Sequence, residues 1–349
     1  MLTALIMAGG RGTRFWPAST DKRPKQFLNL IGQRTMIQET VHRLLPLIDL
    51  NHIFICTGAK YKDLCLEQLP ELPEQNIIIE PTGRNTAPCI LLSSLYIKQI
   101  YKDANVIVLP SDHQINDEIE FLSVLSDANN FVDKNKKSII TIGINPDRPE
   151  TGYGYINFLD TISAINSHEI KKVNKFVEKP NLEVAQSYLD DGRYLWNAGM
   201  FMFNTDFMIN EYKKYAKKTY ELLTSLPQIK SDNYMQKLEE KYIQCESISV
   251  DFAIMEKTKN LFVIPADFGW DDIGAWKALE RYLHSDNRGN ILKGAIKTVD
   301  SKKNLVFSTE KEVILLDISD VFVIETEEKI VVGKKSSLDK VNTLRENEV

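Results

Sequence analysis

Apolar and polar positions alternate in blocks over the first 145 residues. Short apolar runs stand at "TALIMA" (3–8), "HIFICTG" (52–58), "NIIIE" (76–80), "NVIVLP" (105–110) and "SIITIGI" (138–144). Continuous apolar runs rich in β-branched residues are the pattern of strands buried on both faces. Between them, "TMIQETVHRLL" (35–45), "KYKDLCLEQL" (60–69), "RNTAPCILLSSLYIKQIY" (84–101) and a stretch near 118–134 carry helical periodicity. Strand and helix in alternation predict an α/β fold, a doubly wound core with a mixed, mostly parallel sheet.

After Pro146 the pattern loosens. "TGYGYINF", "IKKVNKFVEKP" and "NAGMFMFN" predict strands of an inserted or edge sheet, and helices follow near 206–217, 234–242 and 249–257. From Asn287 short β-rich runs separated by polar turns continue without a helix until the tail "SSLDKVNTLREN". This texture predicts two domains: residues 1–286 as the larger one, and 287–349 as a small β-rich C-terminal domain, partly β-helix-like.

The charge balance narrows the partners. The 349 residues are 43% hydrophobic and 26% charged, with a net charge of -5. That excludes general polyanion binding, so any anion must be recognised locally. No apolar run approaches the ~20 residues that span a bilayer, and "MLTALIMAGG" is too short and uncharged for a signal peptide. Cys56, Cys65, Cys89 and Cys245 show no metal-type spacing. They read as reduced thiols of a cytoplasmic protein that binds neither nucleic acid nor membrane.

Local anion recognition has one strong candidate. In "LIMAGGRGTRFWPASTDKRPKQF" an apolar strand opens into Gly9, Gly10 and Gly12, and Arg11, Arg14, Lys22, Arg23 and Lys25 fall within fifteen residues. A strand opening into glycines lets backbone N–H groups approach a phosphate. The Walker string G-x-x-x-x-G-K-[ST] is absent, and Phe15 stands where a dinucleotide fingerprint needs its third glycine. What fits is a nucleotide held by glycine backbone, with its phosphates met by Arg14 and Lys25. A solvated surface turn is the weaker reading for so many cations in an acidic chain.

These residues resemble the signature of the sugar-nucleotide pyrophosphorylases, the sugar-1-phosphate nucleotidyltransferases. The resemblance continues in order through "EPTGRNTAP" (80–88), "LPSDH" (109–113), "TGYGYI" (151–156), "FVEKP" (176–180), "WNAGMF" (196–201) and "GWDDIGAW" (269–276). Its "WP" and "PKQF" variants are most similar to members that join GTP and mannose 1-phosphate. The resemblance implies a Rossmann-like nucleotidyltransferase core and a homodimer. It also implies that the fused isomerase domain of longer members is lacking here.

Roles follow residue by residue. Asp112 ends an apolar strand, where α/β sheets bind ligands, and a helix cap explains it equally well on position alone. The resemblance favours Mg²⁺ coordination there, with His113 a packing neighbour. Within "GWDDIGAW" it assigns the second metal carboxylate to Asp272, with Trp270 and Trp276 shaping the turn. Glu178 and Lys179 would otherwise be a solvated pair; the resemblance implies sugar hydroxyl and sugar phosphate contacts. Asn197 and Gly154 are likewise implied to meet the sugar. Arg84, Asn85 and Thr86 can cap the following helix and meet the nucleotide, and Glu80 is the nearest carboxylate for a guanine edge.

Overall fold

A computed structural model of the chain describes residues 1–10, 12–177 and 179–346. Two compact units make up the chain. One comprises Met1–Gly9 and Thr40–Asp271, the other Gly10–Glu39 and Asp272–Val349.

The first unit is built on a nine-stranded sheet. Its strands are β1 (Leu2–Met7), β2 (Ile53–Gly58), β3 (Ile77–Glu80), β4 (Asn105–Pro110), β5 (Ile139–Ile144), β6 (Tyr155–Ile165), β7 (His168–Val177), β8 (Tyr194–Asn204) and β9 (Leu261–Ala266), in the order β3-β2-β1-β4-β8-β5-β9-β7-β6. Pairing is parallel across β3, β2, β1 and β4, and again between β5 and β9. β8 enters antiparallel between β4 and β5, so the sheet is mixed. Helices α1 (Met36–His42), α2 (Lys62–Gln68), α3 (Thr86–Ile100), α4 (Glu118–Lys134), α5 (Leu182–Asp191), α6 (Thr205–Tyr215), α7 (Lys217–Thr224) and α8 (Tyr234–Tyr242) connect the strands. α1 stops short of the predicted residue 45: the N–H groups of Leu44 and Leu45 return to the carbonyls of Val41 and His42 three residues back, and Pro46 has no N–H to extend the ladder. Where 249–257 reads as a helix, the chain makes only a π-type turn at Asp251–Met255. Leu5, Phe54, Ile90, Val106, Phe203, Tyr212 and Ile254 belong to one buried core. Each such side chain contributes on the order of 2 kcal/mol.

α4 is started by Asp117, whose side chain accepts from the Glu120 N–H at 2.9 Å. The β6–β7 hairpin is tied to this helix through His168, which is 6% exposed. Its Nδ1 lies 2.8 Å from Asp127 Oδ2 and its Nε2 2.9 Å from Glu120 Oε1. Desolvation pulls the imidazole pKa down, but the hydrogen bonds to Asp127 and Glu120 outweigh it and the net shift is upward from 6.5. A raised folded pKa means the contribution is complete below the unfolded value and is lost as pH rises through the folded one. The stability gap between wild type and His168→Gln is therefore expected to be widest near pH 6 and to close on going to alkaline pH. Urea unfolding at several pH values measures it; a gap that widens with pH would contradict the charged imidazole.

The second unit carries β10 (Ile291–Lys293), β11 (Ile296–Val299), β12 (Leu305–Ser308), β13 (Val313–Leu316), β14 (Val321–Glu325) and β15 (Ile330–Lys334), followed by α9 (Val341–Glu346). β10, β12 and β14 stack in parallel, as do β11 and β13 in a second sheet. The result is a short run of β-helical rungs. Buried asparagines align them: Asn290 Oδ1 accepts from Asn304 N–H at 3.0 Å, and Asn304 Oδ1 accepts from Val321 N–H at 3.1 Å. The segment 287–349, expected as a separate domain, lies in this unit together with 10–39 and 272–286. One core accounts for that grouping, since Phe15, Trp16, Leu30 and Met36 pack with Trp276, Phe307, Phe322 and Leu338.

Candidate active site

The predicted residues divide between the two units. Gly10, Gly12, Arg14, Lys25 and Asp272 belong to the second. There the glycine-rich loop turns through Gly12 at φ 55°, a conformation that strains any residue with a Cβ. A Cβ at Gly12 would also collide with the backbone of Lys25. Gln26, 2% exposed, donates from Nε2 to the Gly10 carbonyl at 3.1 Å and holds the loop from the other side.

Lys25 is 4% exposed, and its Nζ donates to the Asp272 carbonyl oxygen at 2.5 Å. The ammonium also lies 5.9 Å from the centre of the Phe15 ring. A Cβ added to Gly274 would lie 3.3 Å from Asp272 Oδ1 and 3.5 Å from Arg14 Nη1, so these two charged groups flank the same glycine. Three residues distant in sequence thus gather within one unit. Trp276 stabilises the arrangement by donating from Nε1 to the Trp16 carbonyl at 2.9 Å, and its ring meets those of Phe15 and Phe307 edge-on. Neither Asp271 nor Asp272 caps a helix: the next turn, Trp276–Arg281, begins at Ala275.

Gly9, Glu80, Arg84, Asn85, Thr86, Asp112, Gly154, Lys179 and Asn197 belong to the first unit, and Glu178 lies outside the described residues. Asp112 follows β4 and is half-buried. Asp117 rather than Asp112 caps α4, which removes the capping explanation for Asp112. Next to it, His113 accepts at Nδ1 from Trp270 Nε1 at 3.0 Å. Asp271 is buried and pairs its backbone with Gln114 in both directions.

Glu80 ends β3 and is 5% exposed. A Cβ at Gly9 would lie 2.8 Å from its Oε2, so the glycine is what lets the strand end pass this carboxylate. Burial pushes the Glu80 carboxyl up to about 7, although the Tyr242 hydroxyl donates to it and pulls the other way. Asn85 accepts from the Thr86 N–H at 2.8 Å and caps α3; Thr86 Oγ1 accepts from Val250 N–H at 2.8 Å. Arg84 donates to the Ile243 carbonyl at 2.5 Å.

Asn197 is held at three points. Its N–H donates to the Gly154 carbonyl at 2.8 Å, its Oδ1 accepts from Gly199 N–H at 2.9 Å, and its Nδ2 donates to Asp251 Oδ1 at 3.1 Å. The structure thus joins Asn197 to Gly154, while Lys179 is exposed on a residue of φ 38°. Asp251 and Tyr242 were missed in the sequence. Asp251 sits in "ISVDFAIMEK", where an acid reads as the ordinary first turn of a helix, and Tyr242 reads as a core aromatic.

Within the second unit, Asp272, Arg14 and Lys25 bring a hard carboxylate and two cations together, groups suited to phosphate chemistry; within the first, Asp112 is a hard oxygen donor at a strand end. Among the described residues, no helix is long and apolar enough to cross a membrane.

The chain is similar to known nucleotidyltransferases. A family profile described as nucleotidyl transferase matches residues 3–288. A mannose-1-phosphate guanylyltransferase from Salmonella montevideo is 38% identical, over 99% of this chain and 74% of its own. Mannose-1-phosphate guanylyltransferase 2 from Escherichia coli O157:H7 is 36% identical, over 99% and 73%. A crystal structure from Thermus thermophilus, described as a mannose-1-phosphate geranyltransferase, superposes with a TM-score of 0.86 at 29% identity, over 99% of this chain and 98% of that one.

Proposed function

The chain belongs to the nucleotidyl transferase family, and from that premise we propose that it joins GTP and α-D-mannose 1-phosphate, giving GDP-mannose and diphosphate. The choice of sugar and base is supported by the shared name of relatives that match nearly the whole chain. The observation that carries the chemistry is the gathering of Lys25, Arg14 and Asp272 around the "GWDDIGAW" turn.

A sugar-phosphate oxygen attacks the α-phosphorus in line, and diphosphate leaves from the opposite side. The nucleophile is already an anion, so no general base is needed, and the protein's task is positioning and charge stabilisation. Arg14 and Lys25 neutralise the departing diphosphate, and the backbone of Gly9, Gly10 and Gly12 supports the nucleotide. Arg84, Asn85 and Thr86 border the nucleotide, and Glu80 meets the guanine edge. Lys179 aligns the sugar phosphate; Glu178, Asn197 and Gly154 read the sugar. Asp112 and Asp272 are oxygen donors of the kind Mg²⁺ prefers. A divalent cation held by these carboxylates would supply neutralisation of phosphate charge. In this reading residues 1–286 form the catalytic domain, and 287–349 serve dimerisation or cover the active site.

Asp251 orients Asn197, so Asp251→Ala is expected to raise KM for the sugar phosphate about tenfold, the worth of one charge-assisted hydrogen bond. KM for GTP should stay unchanged. Steady-state kinetics with each substrate varied separates the two, and an equal rise in both would remove Asp251 from the sugar side.

The proposal is tested by diphosphate release from a panel of mannose, glucose, fucose and heptose 1-phosphates against GTP, UTP, dTTP and ATP, with and without Mg²⁺. Mannose 1-phosphate with GTP should have the highest kcat/KM, and activity should vanish with a chelator. A better pair would replace the substrates. No release from any pair would point to a silent sugar-nucleotide sensor.

A further inference from the structure

Cys56 in β2, Glu80 at the end of β3 and Cys89 in the first turn of α3 turn their ligand atoms toward one another. The two Sγ atoms and one carboxylate oxygen all lie within 4.8 Å of each other. All three residues are buried, at 0%, 5% and 4% exposure. None of the four cysteines forms a disulfide. The transfer chemistry has no use for a pair of thiols, and Mg²⁺, a hard ion, does not choose them. We infer that Cys56, Cys89 and Glu80 form a binding site for a thiophilic divalent cation of the Zn²⁺ or Cd²⁺ class, separate from the Asp112 and Asp272 carboxylates.

The donor set suits that class. Thiolate with carboxylate is a borderline-soft combination, and a d¹⁰ cation imposes no geometry that three converging ligands cannot meet. Metal–sulfur bonds of about 2.3 Å and metal–oxygen bonds of about 2.1 Å place tetrahedral ligands about 3.5–3.8 Å apart. The three ligand atoms, none more than 4.8 Å from another, exceed that spacing by at most about 1.3 Å. Tyr242 donates its hydroxyl to Glu80 Oε1 and so restrains the carboxylate. Outer hydrogen bonds of this kind hold metal ligands in place.

Charge is accounted for. Two thiols, and the Glu80 carboxyl where it is protonated, lose their protons on binding, and the two thiolates with the carboxylate offset the cation to leave one net negative charge. Affinity therefore rises with pH. The site ties β2, β3 and α3 together directly beside β1, whose following residue Ala8 donates its N–H to the Cys56 carbonyl at 2.8 Å. A bound cation would brace these strand ends against local unfolding. Because every ligand is buried, loading waits on local opening and is slow beside ion exchange at surface carboxylates.

The test is a Cd²⁺ titration of the reduced, full-length protein, read by the ultraviolet thiolate-to-cadmium charge-transfer band. One equivalent should saturate the band, in wild type and in Cys65→Ser/Cys245→Ser alike. Cys56→Ser and Cys89→Ser should each lose most of it, and Glu80→Gln should weaken the affinity about 10- to 100-fold. A band absent from wild type, or undiminished in both single-cysteine variants, overturns the site. Should a cysteine variant fail to fold, X-ray absorption of the Cd²⁺-loaded wild type decides. Two sulfur neighbours with oxygen completing the shell support the assignment, and an all-oxygen or four-sulfur shell refutes it. Neither readout requires turnover; because Glu80 is also the carboxylate proposed for the guanine edge, a cation held here and the nucleotide would compete for it.

Discussion

Lys25→Ala is expected to lower kcat for diphosphate release about 10²- to 10³-fold, the usual loss when one preorganised group facing developing charge is removed. Three observations make the ammonium preorganised. It is 4% exposed, it donates to the Asp272 carbonyl at 2.5 Å, and Gly12 packs so closely on its backbone that no Cβ would fit between them. A buried cation with a fixed head costs no reorganisation as diphosphate charge accumulates, whereas a solvated lysine would be weakened by water. The proposed effect belongs to the transition state, so kcat should fall while KM for GTP changes little. Lys25→Arg is not expected to restore the rate, because a planar fork does not fit the space of a point charge. Near-normal turnover by Lys25→Ala would remove the lysine from the reaction.

Glu325→Gln is the substitution expected to cost the most stability, about 3 kcal/mol. Glu325 is fully buried, and its Oε2 accepts from Ser308 Oγ and from the backbone N–H groups of Thr309, Glu310 and Lys311 at 3.0–3.2 Å. One carboxylate thus closes the turn between β12 and β13. Hydrogen bonds to a charged acceptor are worth about 1.5–3 kcal/mol each, and the neutral amide forfeits that assistance. Burial pushes the Glu325 carboxyl pKa up, but the N–H groups of Glu310 and Lys311, with Ser308 and Thr309, outweigh it and hold the pKa below 4.5. A depressed folded pKa stabilises above the unfolded value and is lost as pH falls through the folded one. The gap between wild type and Glu325→Gln should therefore be constant at neutral pH and shrink below pH 4.5. Urea unfolding across that range measures it, and a gap insensitive to acid would show that the charge does not hold the turn.

Much of the candidate site was legible because its chemistry is local in sequence. The strand "TALIMA" entering Gly9, Gly10 and Gly12 announces an anion loop, and missing Walker and dinucleotide patterns narrow what it holds. Asp112 was legible only as an acid at a strand end; that it does not cap α4 became clear once Asp117 was seen in that place. Asp251 was hidden, because nothing in "ISVDFAIMEK" distinguishes an acid opening a turn from one orienting Asn197 across 54 residues. Cys56, Glu80 and Cys89 were hidden for the same reason. Their spacing matches no metal motif, and only the parallel pairing of β2 with β3 and the start of α3 brings them together.

The periodicity of apolar residues, by itself, determined the alternating strands and helices of the first 145 residues and the β-rich rungs after Asn287. Those patterns reflect burial on one face or two, a property each segment carries alone. Which segments share a core was decided by tertiary structure. The basic loop 10–39 reads as the continuation of β1, yet Phe15 and Trp16 pack with Trp276, Phe307 and Phe322 of the C-terminal unit. Complementary aromatic shape between segments so far apart in sequence leaves no periodic trace in either, and it is this packing that brings Lys25 to the Asp272 carbonyl.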